Sequence, residues 1–153
     1  LLTASPYPGT GRHEWDEGDV TFLRCGSLFS AVRMPRDLVH AAAETSVPDE
    51  VDWFLLTALD GGPVFASRRL GFYYALVSAD VPNYWTGPAA QCVKADTTLA
   101  VPPVWQTDYV NGGSYWPVPP PGVGAFCLPS LVARLTTYGL AQATKRDATR
   151  VGG

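Results

Sequence analysis

Charged residues make up only 16% of this chain, against roughly a quarter in an average soluble domain. Much of its surface is therefore expected to be buried or covered by a partner. The 11 Lys+Arg and 14 Asp+Glu leave a net charge of -3. That excludes a global attraction to nucleic acid or anionic lipid, so any polyanion site has to be a local patch. Cysteine is scarce too: Cys25, Cys92 and Cys127 are widely spaced and odd in number, with no CxxC pair. This excludes a disulfide framework and points to a reduced compartment. No run approaches the roughly 18 consecutive apolar residues of a membrane span. Leu1-Leu2-Thr3-Ala4 lacks the charged flank and length of a signal peptide, so the expectation is a cytoplasmic protein with no membrane partner.

What is present is apolar. Hydrophobic residues reach 46% over 153 residues, enough to bury one core without metal or disulfide staples. The chain divides into an irregular arm over 1–19, one domain over 20–140, and a polar, flexible tail over 141–153 holding Lys145, Arg146 and Arg150. Nothing in the pattern sets an assembly state.

The stretch Val20–Ala43 organises the rest. Two apolar runs, Val20–Cys25 and Leu28–Met34, flank Gly26-Ser27, and a glycine at a reversal predicts a hairpin. Pro35 can open a helix, and Leu38, Val39, Ala41 and Ala42 give it an apolar stripe. Val47-Pro48-Asp49-Glu50 starts a second helix with Val51, Phe54, Leu55, Ala58 and Leu59 at helical spacing, stopped by Asp60-Gly61-Gly62. Pro63–Ala66 and Gly71–Val77 predict a second hairpin with Arg68-Arg69 at its tip. In GFYYALV both alternations are apolar, as in a strand covered on two faces, and its tyrosine hydroxyls then need partners. A short helix near Asn83–Trp85, strands at Thr97–Val101 and Ser114–Pro117, and a closing helix from Pro129 to Gly139 complete the series. The expected fold class is α+β: a mainly antiparallel sheet of five to six strands, including two hairpins, packed by three helices.

Candidate chemistry is thin. His13, Glu14, Asp16, Glu17 and Asp19 are the densest set of potential metal ligands, yet their spacing matches neither an EF-hand nor a zinc signature, and a solvated acidic turn is the plainer reading. Neither metal nor cofactor is expected. Cys25 beside His40 would make a nucleophile and base, provided the imidazole or a helix N-terminus stabilises the thiolate; otherwise Cys25 is a structural thiol. Arg24, Arg33 and Arg36 on the first unit and Arg68-Arg69 on the second hairpin are candidates for a basic surface, with scattered solvated arginines as the alternative. Trp85, Trp105 and Trp116 either cap the core or line a groove for a base, a sugar or a peptide.

The pieces LRCGSLFSAVRM (Leu23–Met34), GGPVF (Gly61–Phe65), YYALV (Tyr73–Val77), TLAVPP (Thr98–Pro103) and YWP (Tyr115–Pro117) resemble small actinobacterial proteins similar to the N-terminal domain of bifunctional DNA primase/polymerases. The resemblance implies an RRM-like sheet. Active members use metal-bound carboxylates on strands to hold the oxygens of phosphoryl transfer. No predicted strand here carries an internal acidic residue. The resemblance therefore implies a non-catalytic accessory or regulatory module that binds DNA, other nucleic acid or a protein partner. Two readings compete with it: a small-molecule enzyme using Cys25 and His40, and a purely structural interaction module.

Overall fold

A computed structural model gives the fold. It describes residues 21–152 apart from 26–27, 68–70, 88, 95, 108–113 and 123, and of residues 21, 24 and 147–152 the backbone alone. The expected arm, its acidic cluster and the Arg68-Arg69 tip lie outside the described residues.

Along the chain the elements are β1 (Thr21–Arg24), β2 (Ser30–Pro35), α1 (Arg36–Ala43), α2 (Pro48–Ala58), β3 (Val64–Ser67), β4 (Phe72–Val77), a 3-10 turn (Val81–Asn83), β5 (Gln91–Cys92), β6 (Thr98–Val101), β7 (Ser114–Val118) and α3 (Pro129–Gly152). The fold is α+β. Five strands pair antiparallel in the order β5-β2-β4-β3-β7, and β1 with β6 forms a separate two-stranded ribbon.

Proline punctuation starts both short helices. Pro35, at φ -56, precedes α1, and Pro48 occupies the first turn of α2 with Asp49 and Glu50 beside it, where negative charge offsets the helix dipole. Thr45 closes the α2 entrance: its hydroxyl donates to Glu50 at 2.6 Å and accepts the Val47 N–H at 3.1 Å.

Period-2 alternation divides the sheet residues between two cores. Val32, Met34, Val64, Ala66, Tyr73, Ala75 and Val77 face the helices and pack with Val39, Val51, Leu55 and Val132. Ala31, Phe65, Tyr74, Leu76 and Trp116 face the other way, onto Leu23, Leu99 and Val101 of the ribbon. The result is three layers, helices over sheet over ribbon, which is why β4 is apolar on both alternations.

Two expectations fail on tertiary grounds. The Val20–Met34 hairpin does not form, because β2 is already hydrogen-bonded on both edges, by β4 and β5. β1 instead pairs β6, with Leu23 opposite Leu99. The closing helix does not stop at Gly139 but runs on to Gly152. A Cβ at Gly139 would lie 2.6 Å from the Leu38 carbonyl oxygen, so this glycine lets α3 and α1 cross closely. The second hairpin does form, with Ser67 opposite Phe72.

Candidate functional site

The residues singled out in the sequence disperse. Cys25 is buried in the ribbon-side core, whereas His40 meets the Tyr73 hydroxyl at 3.4 Å on the helix side. The sheet separates them, so no nucleophile–base pair exists. Burial pushes the Cys25 thiol up to about 12, with a further contribution from nearby Cys92. His40 is pushed down, first by burial and then by the Arg36 charge, with Asp37 opposing.

Trp116 is fully buried, stacked edge-on against Phe65 and donating its indole N–H to the Pro102 carbonyl at 2.8 Å. It belongs to the core. Trp105 is exposed in the turn after β6. Arg33 lies over the Phe72 ring at 5.0 Å and donates to the Gln91 side chain at 2.8 Å. Arg36, exposed, opens α1, and the side chain of Arg24 lies outside the described residues. Among the described candidates, Arg33 and Trp85 share a cleft at the β5 edge. Among the described residues no group of three or more His, Cys, Asp or Glu could hold a metal ion.

A different surface stands out. Between α2 and α3 runs a groove of about 660 Å³, floored by Phe54, Ala58, Leu128, Leu131 and Tyr138. A second hollow of about 640 Å³, toward the N-terminal end of α2 and bordered by the end of α1, shares Phe54 and Thr57 with the first and adds Trp53. The two are therefore one continuous apolar tract. Trp53 is 70% exposed, Leu128 58%, and Tyr138 and Leu56 are exposed as well. Helix geometry explains the display: Val51, Leu55 and Leu59 follow the inward face of α2 at helical spacing and are buried, which turns Trp53 and Leu56 outward. Sequence reasoning missed both. The available signal was two large apolar side chains lying off the inward stripe of an otherwise ordinary amphipathic helix.

The tract has an acidic rim. Glu44, Asp49 and Glu50 border the Trp53 hollow and Asp60 the far end of the groove, with Arg134 as the cation in its wall. The Tyr138 hydroxyl donates to Glu44 at 3.4 Å. Beneath α2, Asp52 accepts from the Tyr115 hydroxyl at 3.2 Å; burial raises its carboxyl to about 6, against the lowering effect of that hydrogen bond.

No helix among the described residues is long and apolar enough to cross a membrane. No family model, curated protein or solved structure matches the chain.

Proposed function

We propose that this protein is a non-catalytic interaction module that docks a protein partner on its helix layer, the partner segment being an amphipathic helix with basic flanks. One observation carries the reading: Trp53, 70% exposed, continues into an apolar groove shared by α2 and α3. A large aromatic kept in water next to other exposed apolar side chains marks a contact surface. Tryptophan is also the side chain most enriched among residues that dominate binding energy. A groove between helices suits an apolar helix face inserted at i, i+3, i+4 spacing. The rim carboxylates then select for Lys and Arg on the flanks and repel acidic helices.

This keeps the accessory character implied by the sequence resemblance and takes its protein-partner branch. The nucleic-acid branch has less support. Binding a polyanion takes several phosphate contacts, and Arg33 and Arg36 do not share a surface: Arg33 lies over Phe72 on the ribbon side, while the Arg36 charge reaches His40 on the helix side.

The test titrates the protein with a Leu/Lys amphipathic helical peptide, watching backbone amides by NMR and Trp53 by fluorescence. Saturable shifts at Phe54, Thr57, Leu131 and Tyr138 are expected. Trp53→Ala should weaken binding by ~30-fold or more, the ~2 kcal/mol typical of an aromatic hot spot. A Leu/Glu peptide should not bind. The reading is overturned if the shifts fall elsewhere, if both peptides bind alike, or if Trp53→Ala changes nothing. A concentration-dependent dimer abolished by Trp53→Asp would put a second copy in the groove instead.

A further inference from the structure

The β5 edge holds a separate hollow, of about 520 Å³, that shares no residue with the helix-layer tract. Among the described residues its lining includes two cations, Arg33 and Lys94, and no acidic residue. In a protein of net charge -3, that is a local reversal of sign. We propose that this cleft binds a small phosphate monoester with a flat ring, the phosphate held by Arg33 and Lys94 and the ring lying along Trp85.

The Arg33 guanidinium and the backbone that carries Lys94 are held in place before any ligand arrives. The Arg33 guanidinium is fixed between the Phe72 ring and the Gln91 amide oxygen, which orients its fork without neutralising it. A planar fork of donors matches phosphate oxygens. Lys94 belongs to a tight turn in which the Thr97 N–H meets the Lys94 carbonyl at 3.2 Å, and the Asp96 N–H meets the Cys25 carbonyl at 2.9 Å. β5 is locked to β2 beyond its last ladder pair by Val93 N–H to Ala31 carbonyl at 2.8 Å, and Ser30 adds a side-chain bond to the Val93 carbonyl at 3.1 Å. Two cations fit a dianion better than a monoanion, which favours phosphate over carboxylate.

The aromatic wall is equally fixed. The Trp85 indole N–H donates to the Ala90 carbonyl at 3.1 Å. A Cβ on Gly87 would meet the indole at 2.2 Å, so the ring lies directly against that glycine. Thr86, Thr97 and Gln91 add hydrogen-bonding groups to the lining. Cys92 is there as well, but burial raises its thiol, so it brings no negative charge to oppose the anion.

The experiment uses the full chain and phenyl phosphate, with inorganic phosphate, benzoate and phenol as comparison ligands, followed by NMR at the Gln91 and Thr97 amides and the Trp85 indole N–H. Phenyl phosphate should give saturable shifts at all three, inorganic phosphate weaker ones, and phenol none. Lys94→Glu alters an exposed side chain and should cut the affinity by at least ~10-fold, as loss of a charge-assisted bond does. Gly87→Ala forces the indole aside, so phenyl phosphate should then bind no better than inorganic phosphate. The proposal is overturned if no shifts occur at this cleft, if Lys94→Glu binds like the parent, or if phenol or benzoate matches phenyl phosphate.

Discussion

The Tyr115 hydroxyl donates to the Asp52 carboxylate at 3.2 Å, tying the outermost strand of the sheet to the helix that displays Trp53. The bond depends on a small residue between two large ones. Ala66 on β3 is paired with Tyr73 on one side and Tyr115 on the other, which leaves room above its methyl for both phenol rings. Tyr73 in turn reaches His40 on α1. A polar row thus crosses an otherwise apolar helix–sheet interface, and no buried side-chain polar atom among the described residues lacks a partner. Satisfied rows of this kind fix how helices sit on a sheet.

Asp52 makes stability depend on pH. Its carboxyl titrates near 6 in the folded chain, against an ordinary value of 3.8, so the folded state holds the proton more tightly. The stabilisation is fully present below about pH 4 and is lost as pH rises through 6. Asp52→Asn keeps an acceptor for Tyr115 and removes the charge. It should flatten the stability profile between pH 4 and 6 and raise stability at pH 7.5 by about 1 kcal/mol, discounted because the group is partly solvated. Urea denaturation at pH 4.5 and 7.5 measures both; a variant with the parent's slope would refute the assignment.

Gly139→Ala is expected to destabilise although alanine is the better helix former. The propensity gain is ~1 kcal/mol. Against it, the new methyl would sit 2.6 Å from a backbone oxygen of α1, which cannot rotate away as a side chain can, and overpacking costs ~1–3 kcal/mol. A net loss of about 1 kcal/mol in chemical denaturation is the expected result. A stabilised variant would show that α1 and α3 are free to separate.

These two sites also show where sequence reasoning succeeds and fails here. Both short helices, the β3–β4 hairpin, β6 and β7 were legible because proline starts, helical spacing and alternation are local signals. The pairing of β1 was not: Leu23 finds Leu99 across most of the domain, and the glycine after β1 mimics a hairpin turn. Gly139 looked like a helix stop because glycine's commonest use is there, while its actual role depends on Leu38, about a hundred positions earlier. At the candidate site the arginines and tryptophans drew attention by type. Type does not tell an exposed Trp53 from a buried Trp116; only the direction each faces does.

The ribbon pairing makes a sharp contrast between neighbours. Leu23 is fully buried and Phe22 is 56% exposed, so β1 turns one side chain into the second core and the next out to solvent. Leu23→Ala should cost ~2–5 kcal/mol, as for other buried leucines. Phe22→Ala should stay within ~0.5 kcal/mol, as surface changes usually do. A hairpin with β2 in a shifted register would reverse the order, because a slip of one residue exchanges the faces. Paired denaturation curves distinguish the two arrangements.

The cysteines should be chemically quiet in the native state. Reactivity toward iodoacetamide follows the thiolate fraction and access. Burial raises Cys25 and Cys127 to about 12, and Cys127 is further occupied by donating to the Pro63 carbonyl at 3.3 Å. At pH 7.5 both are almost wholly protonated as well as enclosed. Cys92 is half-buried, on the edge strand β5, and its thiol is raised as well, so it should label first but slowly. Labelling followed by mass spectrometry should then give one modified site over hours, and three at once when denaturant reaches the unfolding midpoint. Fast single-site labelling of Cys25 at neutral pH would contradict its burial and restore it as a nucleophile.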